Sequence, residues 1–171
     1  MLWDLCNEPP AEETYLLWLT WVYENCKAAG AKAPICVGNM PSLEILKATE
    51  PISDVLTWHP YWAWNTWRKN REDYIKFLDE SLQYARSVRK PLFASECCWG
   101  AADDKKRAEV IEFELAELNR RGIGWTAHLL HHTLVADGHR SEWSHTAAGY
   151  MAFIEPDGSL RRHHEVVNQF L

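Results

Sequence analysis

The sequence lacks an extended basic stripe and any long apolar run. Its formal net charge is −6 over 171 residues. Because nucleic acids are bound by a stripe of Lys and Arg, we expect no nucleic-acid partner. No apolar run is long enough to cross a bilayer, so we expect no membrane partner either. Met1 to Leu5 is too short for the apolar core of a secretory signal, and Asp4 interrupts it. The sequence therefore leaves the cellular location unknown.

The cysteines lack the pattern of a disulfide framework. Five are present, which is an odd number, and two of them, Cys97 and Cys98, are adjacent. No Cys-x-x-Cys spacing occurs, so the common zinc motifs are excluded. We interpret all five as buried free thiols, which favours a reducing compartment such as the cytoplasm. A thiol nucleophile at Cys97 or Cys98 is the alternative, but the sequence pairs neither with a histidine.

The histidines between His128 and His145 also lack metal-site spacing. No His-Glu-x-x-His pattern is present, and the segment has the composition of a loop. A metal site is the alternative to a solvated rim of a cleft. We predict no metal and no other cofactor.

Ten tryptophans stand out against these absences. Trp is costly to bury unless its N–H finds a partner, and its flat apolar face suits the docking of sugars. Core packing and sugar stacking therefore both stay open for most of them. The same two interpretations apply to Trp62, Trp64 and Trp67, which share one aromatic-rich loop.

Apolar runs alternate with amphipathic helix patterns along the chain. We predict strands over Leu2 to Cys6, Pro34 to Gly38, Asp54 to Trp58, Pro91 to Ser95 and Ile123 to Leu130. Helix-sized segments separate these strands, which is the pattern of a parallel α/β fold. We treat residues 1–171 as a single domain.

Local signals place the helix ends. Ser42 and Asn70 have the side chains of helix N-caps, and the acidic Asp103-Asp104 pair opens a further helix. Gly30 ends the first helix. The last part of the chain is less regular, with a short helix or strand over Thr146 to Ile154 and a closing helix over Arg161 to Leu171.

Polar side chains collect at the carboxyl ends of the predicted strands. In α/β proteins, functional loops gather at that edge of a parallel sheet. Two of the side chains are glutamates, which predicts paired-carboxylate chemistry, and glycoside hydrolysis is its main example. A solvated acid, a buried ion-pair partner and ordinary packing are the alternative interpretations. The residues are Asn7, Glu8, His59, Tyr61, Glu96 and His128.

Three motifs together resemble the second half of a clan A glycoside hydrolase. They are Trp-x-x-x-Asn-Glu-Pro at residues 3–9, His-Pro-Tyr at residues 59–61, and Glu96 followed by an aromatic residue and Gly100. The sequence is most similar to glycoside hydrolase family 5, whose members are retaining (β/α)8 barrel enzymes of cellulase, mannanase or exo-glycosidase type. The resemblance runs from Trp3 to about Phe170. It implies a (β/α)8 TIM barrel of which the chain covers about strands 4 to 8, so that an N-terminal half of the barrel is missing.

The resemblance also implies roles for the motif residues. Glu8 would be the general acid/base and Glu96 the nucleophile. Asn7 would form a hydrogen bond with the sugar 2-hydroxyl. Tyr61 would contact the carboxylate of the nucleophile, and His59 would orient the acid/base or a substrate hydroxyl.

Two further residues are substrate-binding candidates. Family members usually place a Trp after the eighth strand as a platform for the sugar. His128 or Leu129 lies near that place here, and Trp99 is a substitute platform.

The implied activity is hydrolysis of O-glycosidic bonds in a β-linked oligo- or polysaccharide with retention of configuration. Carbohydrate is then the partner. The alternative is a non-catalytic carbohydrate-binding or remnant half barrel, because a full barrel takes about 250 residues.

Overall fold

The computed structural model describes residues 1–62, 70–100, 103–131 and 152–171. These residues form two compact units. The first comprises Met1–Pro60 and Phe77–Ser95, and the second comprises the described residues of Tyr61–Lys76 and Glu96–Leu171. The single domain over residues 1–171 stays a prediction.

Strands and helices alternate as the hydrophobic pattern predicts. The elements are β1 (Trp3–Asn7), α1 (Glu13–Ala28), β2 (Ile35–Asn39), α2 (Leu43–Thr49), a 3₁₀ helix (Glu50–Ile52), β3 (Leu56–Trp58), α3 (Arg71–Ser87), β4 (Leu92–Cys97), α4 (Asp104–Arg120), β5 (Gly124–Ala127) and a second 3₁₀ helix (His164–Phe170).

The strands form one sheet in chain order, β1-β2-β3-β4-β5. The pairs β1/β2, β2/β3 and β3/β4 are all parallel. Parallel neighbours cannot be joined by tight hairpins, so a helix crosses between each pair. The predicted α/β class with a parallel sheet is confirmed.

The core of the first unit surrounds its central strands. Every residue of β2 and β3 is buried, as in parallel strands covered on both faces. Leu19 of α1, Val37 of β2 and Ile52 form one apolar cluster. Asn39 at the end of β2 is fully buried, and its amide donates to the carbonyls of Val37 and Thr57.

The predicted helix ends are confirmed. Ser42 Oγ accepts from the Ile45 amide, and Asn70 Oδ1 accepts from the Asp73 amide. Asp103 caps α4. Gly30 follows α1 with a φ of +83°, a left-handed conformation that glycine adopts without a steric penalty.

The last part of the chain differs from its prediction. Within the predicted closing helix only a 3₁₀ helix forms, from His164 to Phe170. His163 has a φ of +67°, which prevents an α-helix from continuing through it. Of the predicted segment Thr146 to Ile154, residues 146–151 lie outside the described residues, and Ile154 forms isolated bridges to His131 and Leu160.

The cysteine prediction is confirmed for three of the five residues. All five are free thiols, and Cys36, Cys97 and Cys98 are buried, but Cys6 and Cys26 are only half-buried. Cys6 lies on β1, a strand for which the described pairings give one neighbour.

Among the described helices, none combines the length and the apolar character needed to cross a membrane.

Candidate active site

Glu8 follows β1 directly and has a strained backbone. Its φ is +48°, in the left-handed region, which costs an L residue roughly 1–2 kcal/mol. Its N–H donates to the Gly38 carbonyl at 2.6 Å, which holds the turn against β2. Strain of this kind persists where the surroundings fix it, and it is concentrated at functional sites.

The Glu8 carboxyl group contacts a buried histidine. His59, which follows β3, is 1% exposed. Its Nδ1 lies 2.7 Å from Glu8 Oε1, while the Glu8 side chain is 29% exposed. One oxygen of the carboxyl group is therefore fixed by the imidazole, and part of the group still faces solvent.

A glycine makes room for this arrangement. A Cβ at position 38 would lie 2.5 Å from Asp4 Oδ2 and 3.1 Å from His59 Nε2. The Gly38 N–H donates to Asp4 Oδ1 at 2.9 Å. The close approach of β1, β2 and the His59 ring therefore depends on the absence of a side chain here.

In the second unit, Glu96 near the end of β4 accepts a hydrogen bond from Tyr61. The Tyr61 hydroxyl donates to Glu96 Oε2 at 2.6 Å. Burial, followed by the charge of Glu96, raises the pKa of Tyr61 well above its ordinary value. The hydroxyl therefore keeps its proton and acts as a permanent donor to the carboxylate.

His128 also lies beside Glu96. Its Nδ1 is 3.9 Å from Glu96 Oε2, which is too long for a hydrogen bond but close enough for an ionic interaction when the ring is protonated. The His128 N–H donates to the Cys97 carbonyl at 2.8 Å and so links β5 to the end of β4.

Trp99 packs against the ring of Tyr61. The ring centroids lie 5.5 Å apart at an interplanar angle of 86°, and Leu129 packs against the same pair. Trp99 is only 8% exposed, so its described contact supports the Tyr61 ring. Its role as a sugar platform stays a prediction.

The structure thus brings together Glu8 and His59 in the first unit, and Tyr61, Glu96, Trp99 and His128 in the second. Asn7 is exposed at the end of β1, and its bond to a sugar stays a prediction. Trp64, Trp67, His132, His139 and His145 lie outside the described residues. Neither unit by itself brings three metal-ligating side chains together among its described residues.

One buried acid was not singled out from the sequence. Glu114 of α4 is fully buried, and its two oxygens accept the backbone N–H groups of Trp62 (2.5 Å) and Cys98 (2.7 Å). The available signal was its place on the apolar stripe of Ile111, Leu115 and Leu118, because an acid on a buried face needs a dedicated partner.

No protein-family model matches the sequence, and the curated proteins give no match. Solved structures do match. A β-glucuronidase from Faecalibacterium prausnitzii aligns with 99% of this chain and 31% of its own, at 15% identity and a TM-score of 0.73. A GH2 β-galacturonidase from Eisenbergiella tayi aligns with 99% of this chain and 32% of its own, at 16% identity and a TM-score of 0.76.

A third structure is β-glucuronidase 2 from Bacteroides uniformis, covalently bound to cyclophellitol-6-carboxylate aziridine. It aligns with 92% of this chain and 20% of its own, at 14% identity and a TM-score of 0.66. The chain shares its fold with these glycoside hydrolases. It spans about a third of the length of the first two. The expected likeness to glycoside hydrolases holds for the fold, but these neighbours are β-glucuronidases and a GH2 β-galacturonidase rather than cellulase-like members of family 5.

Proposed function

We propose that the chain carries the two catalytic carboxylates of a retaining β-glycoside hydrolase, with Glu96 as nucleophile and Glu8 as general acid/base. The observation that carries the proposal is the difference between their partners. Glu96 accepts from a hydroxyl that keeps its proton, whereas Glu8 contacts an imidazole nitrogen that can donate or accept.

The partner of Glu96 suits a nucleophile. A nucleophilic carboxylate needs a donor that orients it, and the Tyr61 hydroxyl, which keeps its proton, is such a donor. The same donor holds Oε2 at a fixed place, which orients the carboxylate for attack on the sugar. His128 adds positive charge beside Oε2 when it is protonated.

The partner of Glu8 suits an acid that becomes a base. In the first step Glu96 attacks the anomeric carbon, the glycosidic C–O bond breaks, and the proton of Glu8 goes to the leaving oxygen. In the second step Glu8 takes a proton from water, the water oxygen bonds to the anomeric carbon, and the ester to Glu96 breaks. His59 can hydrogen-bond to either form of Glu8, because its Nδ1 is a donor in one tautomer and an acceptor in the other.

The proposed mechanism requires one substrate to contact both glutamates. Glu8 follows β1 and Glu96 lies near the end of β4, and both strands belong to a parallel sheet. Substrates of α/β barrels bind at the carboxyl edge of such a sheet. In a retaining enzyme the carboxyl groups are separated by about 5–5.5 Å, and a crystal structure with a trapped sugar would measure this distance.

We propose in addition that the chain forms about strands 4 to 8 of a (β/α)8 barrel. Among the described strands β1 pairs only with β2, and Trp3 on β1 is 54% exposed. Leu17, Trp18 and Trp21 of α1 are also at least half exposed. An unpaired strand edge beside large exposed apolar side chains supports the proposal that a further part of the barrel covers them. That part would belong to the same chain or to another.

The substrate class follows from the proposed mechanism and from the names of the structural neighbours. A β-linked sugar with an equatorial leaving group is the general case. The neighbours' names make β-glucuronides and β-galacturonides the first compounds to test, with β-glucosides and β-mannosides representing the cellulase-like and mannanase-like expectation.

Covalent trapping tests the proposal. Activated 2-fluoro glycosides of each of these sugars would be incubated with the protein, and peptide mass spectrometry would locate any label. We expect one sugar per chain on Glu96, no label in Glu96→Ala, and wild-type labelling in the surface control Glu112→Gln. Folded protein that takes up none of the four sugars would refute catalysis and favour a non-catalytic carbohydrate-binding or remnant half barrel.

A further inference from the structure

Glu114 links the two backbone segments that carry Tyr61 and Glu96. Trp62, whose N–H bonds to Oε1, directly follows Tyr61. Cys98, whose N–H bonds to Oε2, lies two residues after Glu96. The Glu114 carboxyl group therefore links these two segments through their backbone N–H groups. The hydrogen bond between Tyr61 and Glu96 links the same two segments through their side chains.

The backbone at Cys98 needs such support. Its φ is +74°, a left-handed conformation that a residue with a side chain rarely adopts. Glu114 holds its N–H, while Arg107 donates to its carbonyl from Nε (3.2 Å) and Nη2 (3.0 Å). The Cys98 backbone is thus fixed on both sides by side chains from one helix, α4.

Arg107 is itself held in place. It is fully buried, and its Nη1 donates to the Ala152 carbonyl at 2.7 Å and lies 3.0 Å from His164 Nε2. Burial, and then the charge of Arg107, lowers the pKa of His164 to about 4. The neutral imidazole accepts at Nε2, while Nδ1 donates to the Arg162 carbonyl. The close approach of α4 also requires Gly100, where a Cβ would lie 2.8 Å from Arg107 Cγ.

We propose that Glu114 is a positioning residue for the nucleophile: by accepting both backbone N–H groups it fixes Glu96 and Tyr61 in the geometry that attack on the sugar requires. This inference rests on the proposed function of Glu96. It assigns to a residue of α4 a role in the rate of the chemical step and not in the binding of the sugar.

Glutamate is the side chain that this position needs. Two N–H donors require two acceptor oxygens, and both oxygens of a carboxyl group keep an acceptor lone pair. In Glu114→Gln the shape is kept, but one oxygen becomes an NH₂ group that has no acceptor capacity and would face an N–H. The variant thus removes one of the two backbone contacts with little change in volume.

The test compares three proteins in covalent labelling of Glu96 by an activated 2-fluoro glycoside. They are the wild type, Glu114→Gln and Glu112→Gln, an exposed position on the same helix that serves as the matched control. The labelling rate at saturating reagent and the half-saturating concentration are measured separately, and circular dichroism and Tm report folding.

We expect the saturating rate of Glu114→Gln to fall on the order of 10- to 100-fold, because a misplacement of about 1 Å costs that much in a positioned reaction. The half-saturating concentration should stay within about twofold, and Glu112→Gln should match the wild type. A merely structural role would change Tm without this split between rate and affinity.

Two results overturn the inference, and they are distinguishable. If wild-type Glu96 is labelled and folded Glu114→Gln is labelled at the same saturating rate, the positioning role is wrong and the proposed function stands. If wild-type Glu96 takes up no label, the proposed function fails and the positioning role fails with it.

A second measurement covers the case in which Glu114→Gln does not fold. In the ¹H–¹⁵N spectrum of the wild type, the amide protons of Trp62 and Cys98 should lie downfield and exchange slowly, as short hydrogen bonds to a buried carboxyl group require. Upfield, rapidly exchanging amides at both positions would overturn the inference.

Discussion

Tyr61→Phe isolates one hydrogen bond at the proposed nucleophile. The change removes the hydroxyl that donates to Glu96 Oε2 at 2.6 Å and leaves the ring in place. The edge-on contact with Trp99 involves the ring and should persist. The variant therefore changes the surroundings of one carboxylate with little change in packing.

The expected loss follows from the kind of bond. A hydrogen bond to a charged group contributes about 1.5–3 kcal/mol, and Tyr61 is only 3% exposed, so water does not readily replace the hydroxyl. Because each 1.36 kcal/mol is a factor of ten in rate, turnover should fall by roughly 10- to 150-fold. The chemical step loses this stabilisation because the donor no longer fixes the attacking carboxylate.

The assay is steady-state hydrolysis of an aryl β-glycoside together with covalent labelling of Glu96. The expected change is a lower kcat and a lower labelling rate, with Tm close to that of the wild type. A folded Tyr61→Phe protein that retains more than about a third of wild-type kcat would refute the reasoning, because the bond would then contribute well under 1.36 kcal/mol.

Three further changes test other parts of the structure. Glu8→Ala should slow hydrolysis of glycosides with poor leaving groups by roughly 10²- to 10⁴-fold. The first step should be unaffected for dinitrophenyl glycosides, because their leaving group needs no acid. Equal losses of rate on both kinds of substrate, measured by burst kinetics, would contradict the role of Glu8. Gly38→Ala should destabilise the protein by about 1–3 kcal/mol in denaturant titrations, because its Cβ displaces Asp4, and an unchanged midpoint would contradict this. Burial raises the pKa of Glu114 from 4.5 to about 8. The contribution of Glu114 to the free energy of unfolding is therefore fully present below about pH 4.5 and is lost as pH rises to about 8. In denaturant titrations across this window, the fall in the free energy of unfolding should be smaller for Glu114→Gln than for the wild type.

The predictable part of the fold was encoded locally. Ser42 and Asp103 could be recognised as caps because each bonds within three residues of itself. Strand positions followed from short apolar runs, with errors of at most three residues at their ends. The closing helix was predicted wrongly because the left-handed backbone of His163 leaves no mark in the apolar pattern.

The positions of the candidate residues could be predicted to the same extent, while their catalytic roles stay predictions. The apolar pattern places Glu8, His59 and Tyr61 after strands and Glu96 near a strand end. The pair Glu8–His59 forms in the first unit and the pair Tyr61–Glu96 in the second. Glu114 was missed because its partners lie 52 and 16 residues away along the chain. The three motifs together predicted a likeness to family 5, whereas the structural neighbours are β-glucuronidases and a GH2 β-galacturonidase. Short motifs at strand ends carry little information about the rest of a protein.

At position 8 the requirement for catalysis and the requirement for stability favour different residues. Glycine would adopt a φ of +48° without the steric penalty that an L residue meets. A laboratory selection for heat resistance alone would therefore reward the loss of the very carboxyl group that the proposed mechanism needs. Variant libraries of this protein should be screened for turnover in the same round as for thermal survival.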